Sequence, residues 1–154
     1  MATVIKEFVI AADPHTVWDA IRDFHAVHER VAPGFLTGAS RDGDVRILTF
    51  FNGMVARERL IGFDDAARRM AYSIIEGRFA YHHASFQVFP HASGSRVVWI
   101  TDLLPDALSD SSSMMMDHGS AAMIRTLENR TTGHSQPTGQ SQPAGENQTS
   151  GRQE

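Results

Sequence analysis

The chain contains no cysteine at any of its 154 positions. That absence excludes a disulfide-stapled scaffold, an iron–sulfur cluster, thiolate-bound zinc and thiol catalysis. Apolar runs are short, and none approaches the ~18 residues needed to span a bilayer. Excess positive charge is lacking too. Fourteen basic residues against 18 acidic ones leave a formal charge of −4, which argues against nucleic acid or an anionic membrane as the main partner. The N-terminus, ATVIKEFVIAADP, has no basic region ahead of an apolar run and does not read as a secretory signal. A cytoplasmic protein of one ordinary domain is the expectation.

What is present divides unevenly. Of 64 hydrophobic residues, 63 lie in the first 130. The last 24 residues hold one, Ala144, among Gln, Gly, Ser, Thr and Pro. Such a segment buries too little apolar surface to offset its ordering entropy, so a folded body over 1–130 and a disordered polar tail over 131–154 are expected.

Within the body, Val4–Ile10 alternates as a strand with Val4, Lys6, Phe8 and Ile10 on one face. Asp13 followed by Pro14 marks a helix start, and Val17, Trp18, Ile21 and Phe24 supply its apolar stripe. A short helical piece over about 25–31 ends before Pro33-Gly34. The period then changes to two. Strands are expected over 35–40, 45–52, 54–63, 69–76, 80–89 and 96–103, separated by Asp-Gly, Asn-Gly and other turn signals. Pro105-Asp106 opens a final helix that runs to Arg130. This order predicts an α+β fold in which a curved antiparallel sheet of about seven strands packs against a long C-terminal helix.

Strand parity sorts the side chains. With Arg57 and Arg59 outward, Ala56, Glu58 and Leu60 face in. Met70, Tyr72, Ile74 and Glu76 follow from Arg69 outward. His82, Ala84, Phe86 and Val88 share a face, as do Val97, Trp99, Thr101 and Leu103. The turns set Glu58 opposite Tyr72 or Ile74, Ile74 near His82, Tyr72 near Ala84, Phe86 opposite Trp99 and Ala84 opposite Thr101. Glu58, Tyr72, His82 and Thr101 thus fall in one band of an otherwise apolar face, as in a cavity that orients its ligand by a few polar groups. Hydrogen-bonded structural residues would give the same pattern one at a time. A single bulge would exchange His82 for His83. In the final helix, Met115, Met116 and Met123 suit an adaptable cavity wall or gap-filling core. Gly119 there costs ~1 kcal/mol relative to Ala, which a close helix–sheet approach or added cavity room would explain.

No HExxH or paired-histidine motif supports a metal site, and no P-loop, dinucleotide fingerprint or nucleophile elbow is present. No cofactor is expected.

The element order, together with Ala11-Ala12-Asp13-Pro14 to Trp18, Gly43-Asp44-Val45-Arg46, Asn52-Gly53, Arg57-Glu58-Arg59-Leu60, Asp64-Asp65, Arg68-Arg69 to Tyr72, Glu76-Gly77, Gly94 to Trp99 and Gly119, resembles the START-related, birch-pollen-allergen-like superfamily (SRPBCC). The local text is similar to its bacterial polyketide cyclase/dehydrase and lipid-transport branch over about residues 2–129. The resemblance implies a helix-grip fold and a cavity between sheet and long helix for a hydrophobic or polyketide-like ligand. By position, Glu58, Tyr72 and Trp99 match recurrent inner residues, while His82 stands where many relatives have Tyr. The family supplies no invariant catalytic set.

Two functions are consistent with these residues. One is a binding or transport module whose ligand touches Glu58, Leu60, Tyr72, Ile74, His82, Ala84, Phe86, Trp99, Thr101, Met115, Met116, Gly119 and Met123. The other is a cyclase or dehydratase in which His82 or Glu58 removes a proton alpha to a carbonyl and Tyr72 stabilises the enolate. A member with a collapsed cavity is a third, although Ala56, Ala84 and Gly119 leave room. Either a monomer or a homodimer is compatible with the sequence.

Overall fold

Asp13 starts the first helix three residues after the first strand ends at Ile10. Its carboxylate accepts the Thr16 backbone N–H at 3.0 Å, and Pro14 occupies the first helical position, where no N–H is needed. In this computed structural model, residues 1–132 are described. Strand β1 (Ala2–Ile10) leads into α1 (Pro14–Ile21), a 3₁₀ turn (Phe24–Ala26) and the short α2 (Val27–Arg30). Six strands follow: β2 (Leu36–Asp42), β3 (Val45–Phe50), β4 (Val55–Asp64), β5 (Arg69–Ile74), β6 (Tyr81–His91) and β7 (Gly94–Leu104). A second 3₁₀ turn (Asp106–Leu108) opens α3 (Ser109–Thr132). The helix passes the expected boundary at Arg130 by two residues; the rest of the expected tail lies outside the described residues.

All pairings are antiparallel, in the order β1-β7-β6-β5-β4-β3-β2. The expected helix-grip architecture is the one observed: a single seven-stranded sheet with α3 across its concave face. The hairpin registers follow the turn residues. Phe86 pairs with Trp99, Ala84 with Thr101, Tyr72 with Ala84, and Glu58 with Ile74. No bulge intervenes in β6, so His82 is the inward histidine. The ladder does shift in β4 between Leu60 and Gly62. Strand β5 is shorter than expected and stops at Ile74. Glu76 is therefore not an inward strand residue; it is exposed, 3.1 Å from Arg57 Nε.

Two attachments hold α3 and the N-terminus together. On β1, Lys6 reaches Asp117 of α3 at 2.6 Å, and the Ala11 N–H donates to Glu128 at 2.9 Å. Gly94 sits at the β6–β7 turn with φ +130°, where a Cβ would lie 2.5 Å from the Ile10 carbonyl oxygen. Only glycine fits that approach. The core gathers Ile10, Val17, Trp18, Ile21, Phe24, Val88, Val97 and Leu127, all buried, at the end of the sheet covered by α1. The other end is left hollow.

Candidate functional site

The hollow is a cavity of about 520 Å³ between the sheet and α3. Its sheet wall is built by alternation: Arg46, Leu48 and Phe50 from β3, Ala56 and Glu58 from β4, Met70, Tyr72 and Ile74 from β5, His82 and Phe86 from β6, Trp99 and Thr101 from β7. Met115, Met116, Gly119 and Met123 face it from α3, one or two helical turns apart. Val27, Val31, Ala32 and Phe35 close a third side. At the mouth stand Phe51 and Met54 from the β3–β4 turn and Met114 from α3, all with substantial exposure.

Eleven of the thirteen residues singled out from the sequence line this cavity. Leu60 and Ala84 do not. Leu60 is half-buried and packed against the core, next to the β4 shift. Ala84 is completely buried, between its strand partners Tyr72 and Thr101. Gly119 marks a close approach rather than spare room. A Cβ there would lie 3.0 Å from the Trp99 ring and 3.2 Å from Phe35.

The polar side of the wall centres on a residue that the sequence analysis left out of the site. Arg46 is 3% exposed and Glu58 4%, and they are cross-strand partners on β3 and β4. Arg46 Nε and Nη2 each lie 2.7 Å from Glu58 Oε2. Its Nη1 donates to the Phe24 carbonyl at 2.8 Å, and the guanidinium stacks 4.0 Å above the Phe24 ring. Such pairing is what makes a buried charge tolerable. Parity within 45–50 carried the signal, because Arg46 alternates with Leu48 and Phe50. The habit of reading arginine as an outward marker hid it.

Next to this pair, an aromatic ladder crosses the sheet. Trp99 stacks on Phe86 at 4.6 Å, Phe86 on Tyr72 at 6.1 Å, and Trp99 Nε1 donates to the Tyr72 hydroxyl at 3.2 Å. Burial, reinforced by the Glu58 carboxylate, pushes the Tyr72 phenol far above its ordinary range, so it stays protonated. Among the described residues no acceptor takes its proton. His82 lies 6.0 Å from Tyr72, ring to ring, and 5.0 Å from Phe79. Burial, with a smaller contribution from His83, lowers its pKa to about 4. Its Nδ1 accepts the Ile74 backbone N–H at 3.1 Å. On the sheet wall the cavity thus presents, beside a large apolar surface, the hydroxyls of Tyr72 and Thr101, the His82 imidazole and the Glu58 carboxylate held by Arg46. No group of three metal-ligating side chains exists among those residues, and no helix there is long and apolar enough to cross a membrane.

A helix-grip sheet closed over an internal cavity by its C-terminal helix defines a ligand-binding fold of the SRPBCC type. Residues 1–129 match the family model described as polyketide cyclase / dehydrase and lipid transport, and the chain belongs to that family. Among solved structures, XoxI from Bacillus cereus is similar at 24% identity and TM-score 0.70, over 84% of this chain and 95% of that one. A protein from Nitrosospira multiformis reaches TM-score 0.73 at 19% identity, over 85% and 99%. Norcoclaurine synthase from Thalictrum flavum, in complex with dopamine and hydroxybenzaldehyde, gives 0.64 at 18%, over 88% and 89%. At these identities the likeness is one of fold. No curated protein matches the sequence significantly.

Proposed function

We propose that this chain binds a small hydrophobic or amphipathic molecule between its sheet and α3, as a carrier, sensor or binding protein. One observation carries the reading: a largely apolar cavity of about 520 Å³ with Arg46, Glu58, Tyr72, His82 and Thr101 together on its sheet wall. That volume falls in the range of small-molecule sites, and sparse polar groups on one wall orient an amphipathic ligand. Ligand-touching roles are assigned to the eleven lining residues named above, with Arg46 holding Glu58 in place. Leu60 and Ala84 are assigned to packing.

Native mass spectrometry of protein purified from its own host tests this, with co-purification of a small molecule expected. Ala56→Leu, which grows a side chain into the cavity, should abolish that adduct while leaving the fold intact. An adduct that survives Ala56→Leu unchanged would place the ligand elsewhere.

A cyclase or dehydratase is the second reading, favoured by the Glu58 carboxylate and the Tyr72 hydroxyl sharing the same cavity wall. The same fold in norcoclaurine synthase accommodates two small aromatic molecules. Glu58→Gln separates the two readings once a ligand is in hand. Catalysis predicts a turnover loss of about 10²-fold with a modest affinity change. Binding alone predicts the affinity change and no turnover to lose.

A further inference from the structure

The role of His82 is set by the backbone of β5. Strands β5 and β6 pair as far as Tyr72 and Ala84, and the ladder then opens. Beyond it, the Ile74 N–H finds no strand carbonyl and donates to His82 Nδ1 at 3.1 Å. A backbone amide only donates, so Nδ1 must present its lone pair, and the neutral ring carries its proton on Nε2. Turning the ring over would set a C–H against the same amide and orphan a buried donor. Nε2 itself has no partner among the described residues, and His82 forms part of the cavity wall.

We propose that His82 is a fixed hydrogen-bond donor of the cavity, selecting ligands that offer a carbonyl or similar neutral acceptor oxygen to its Nε2–H, rather than a base. A base would need its lone pair on the cavity side. The proton would then sit on Nδ1, donor facing donor against Ile74, with no other acceptor on that side. Burial, which disfavours the imidazolium, acts in the same direction. The groups around the ring (Tyr72, Phe79 and the outward His83) offer it no counter-charge. Ile74 is also the cross-strand partner of Glu58. The acceptor-seeking histidine on β6 and the donor-seeking carboxylate on β4 thereby flank Ile74 of β5 on either side, a pattern suited to a ligand bearing both a carbonyl and a hydroxyl.

This inference rests on the cavity being a ligand site, and its test separates the two. Long-range ¹H–¹⁵N correlation spectra of the wild-type chain at pH 7 should show His82 protonated at Nε2 and bare at Nδ1. The opposite tautomer overturns the proposal without any variant being made. Two probes of equal size, 2-ethylnaphthalene and 2-acetylnaphthalene, are then titrated while Trp99 fluorescence is followed. His82→Asn retains an acceptor near Ile74 but withdraws the donor from the cavity. It should weaken the ketone by about 3- to 10-fold and leave the hydrocarbon unchanged. Equal weakening of both, or of neither, reduces His82 to a structural residue and overturns the proposal. If 2-ethylnaphthalene fails to bind the wild type, the cavity reading itself falls.

Discussion

Arg46 and Glu58 face each other across the β3–β4 ladder, and both guanidinium contacts go to a single carboxylate oxygen, Oε2, at 2.7 Å. The pair therefore spends only half of the carboxylate on structure. Arg46 is itself clamped by the Phe24 carbonyl below and stands 5.1 Å from the Tyr72 ring, so it positions Glu58 against the aromatic ladder.

Removing one member leaves the other charged and unpaired in the interior. Arg46→Met is expected to cost about 3–5 kcal/mol. Adding Glu58→Leu should restore much of that, since replacing both partners with apolar groups is often close to neutral. Urea denaturation of the two variants measures this. A double variant less stable than Arg46→Met would contradict it.

Gly119 predicts a loss where helix propensity alone predicts a gain. Alanine would favour α3 by up to about 1 kcal/mol. Its Cβ, however, would press on Trp99 at 3.0 Å, and that ring is fixed by its stack on Phe86 and its bond to Tyr72. Overpacking of this kind costs about 1–3 kcal/mol. A lowered melting temperature for Gly119→Ala is expected, and a raised one would show that the aromatic ladder yields.

His82 makes stability depend on pH in a defined direction. The unfolded imidazole takes up its proton near pH 6.5, the folded one only near 4. Between those values the unfolded chain binds more protons, so the His82 contribution is complete above about pH 6.5. It is then lost as pH falls, by up to about 1.4 kcal/mol per unit. Burial lowers the pKa of His25 as well, which adds to the same slope. Urea denaturation at pH 7, 6 and 5 should therefore show a smaller acid loss in His82→Asn than in the wild type. Identical slopes would remove His82 from the account.

Tyr72 should be silent in alkali. Absorbance titration near 295 nm should give the same curve for wild type and Tyr72→Phe until the protein unfolds, because burial keeps this phenol protonated. The same variant orphans the buried Trp99 N–H, at a cost of about 1–3 kcal/mol. A reduced titration amplitude in Tyr72→Phe before unfolding would show the hydroxyl to be accessible.

The pairings of Phe86 with Trp99 and Ala84 with Thr101 were legible because a tight turn fixes register and alternation fixes face. Asp13-Pro14 was legible because capping is local. Arg46 was not, because its reason for facing inward is Glu58 on another strand and Phe24 on another element. Leu60 and Ala84 satisfied parity, yet parity says which face a residue is on and not how far along the sheet the hollow extends. The end of β5 at Ile74 also escaped, since it depends on a side chain, His82, replacing a strand partner.

The pairing of β1 with β7 has a further consequence. Along the sheet, residues 2–10 pair with residues 95–103, and the β1–α1 corner is tied to Glu128. The six strands from β2 onward close through short turns and are ready to zip locally. Strand β1 must instead wait for a contact nearly a hundred residues away, the kind of topology that slows folding. During synthesis β1 stays without its sheet partner until β7 has been made.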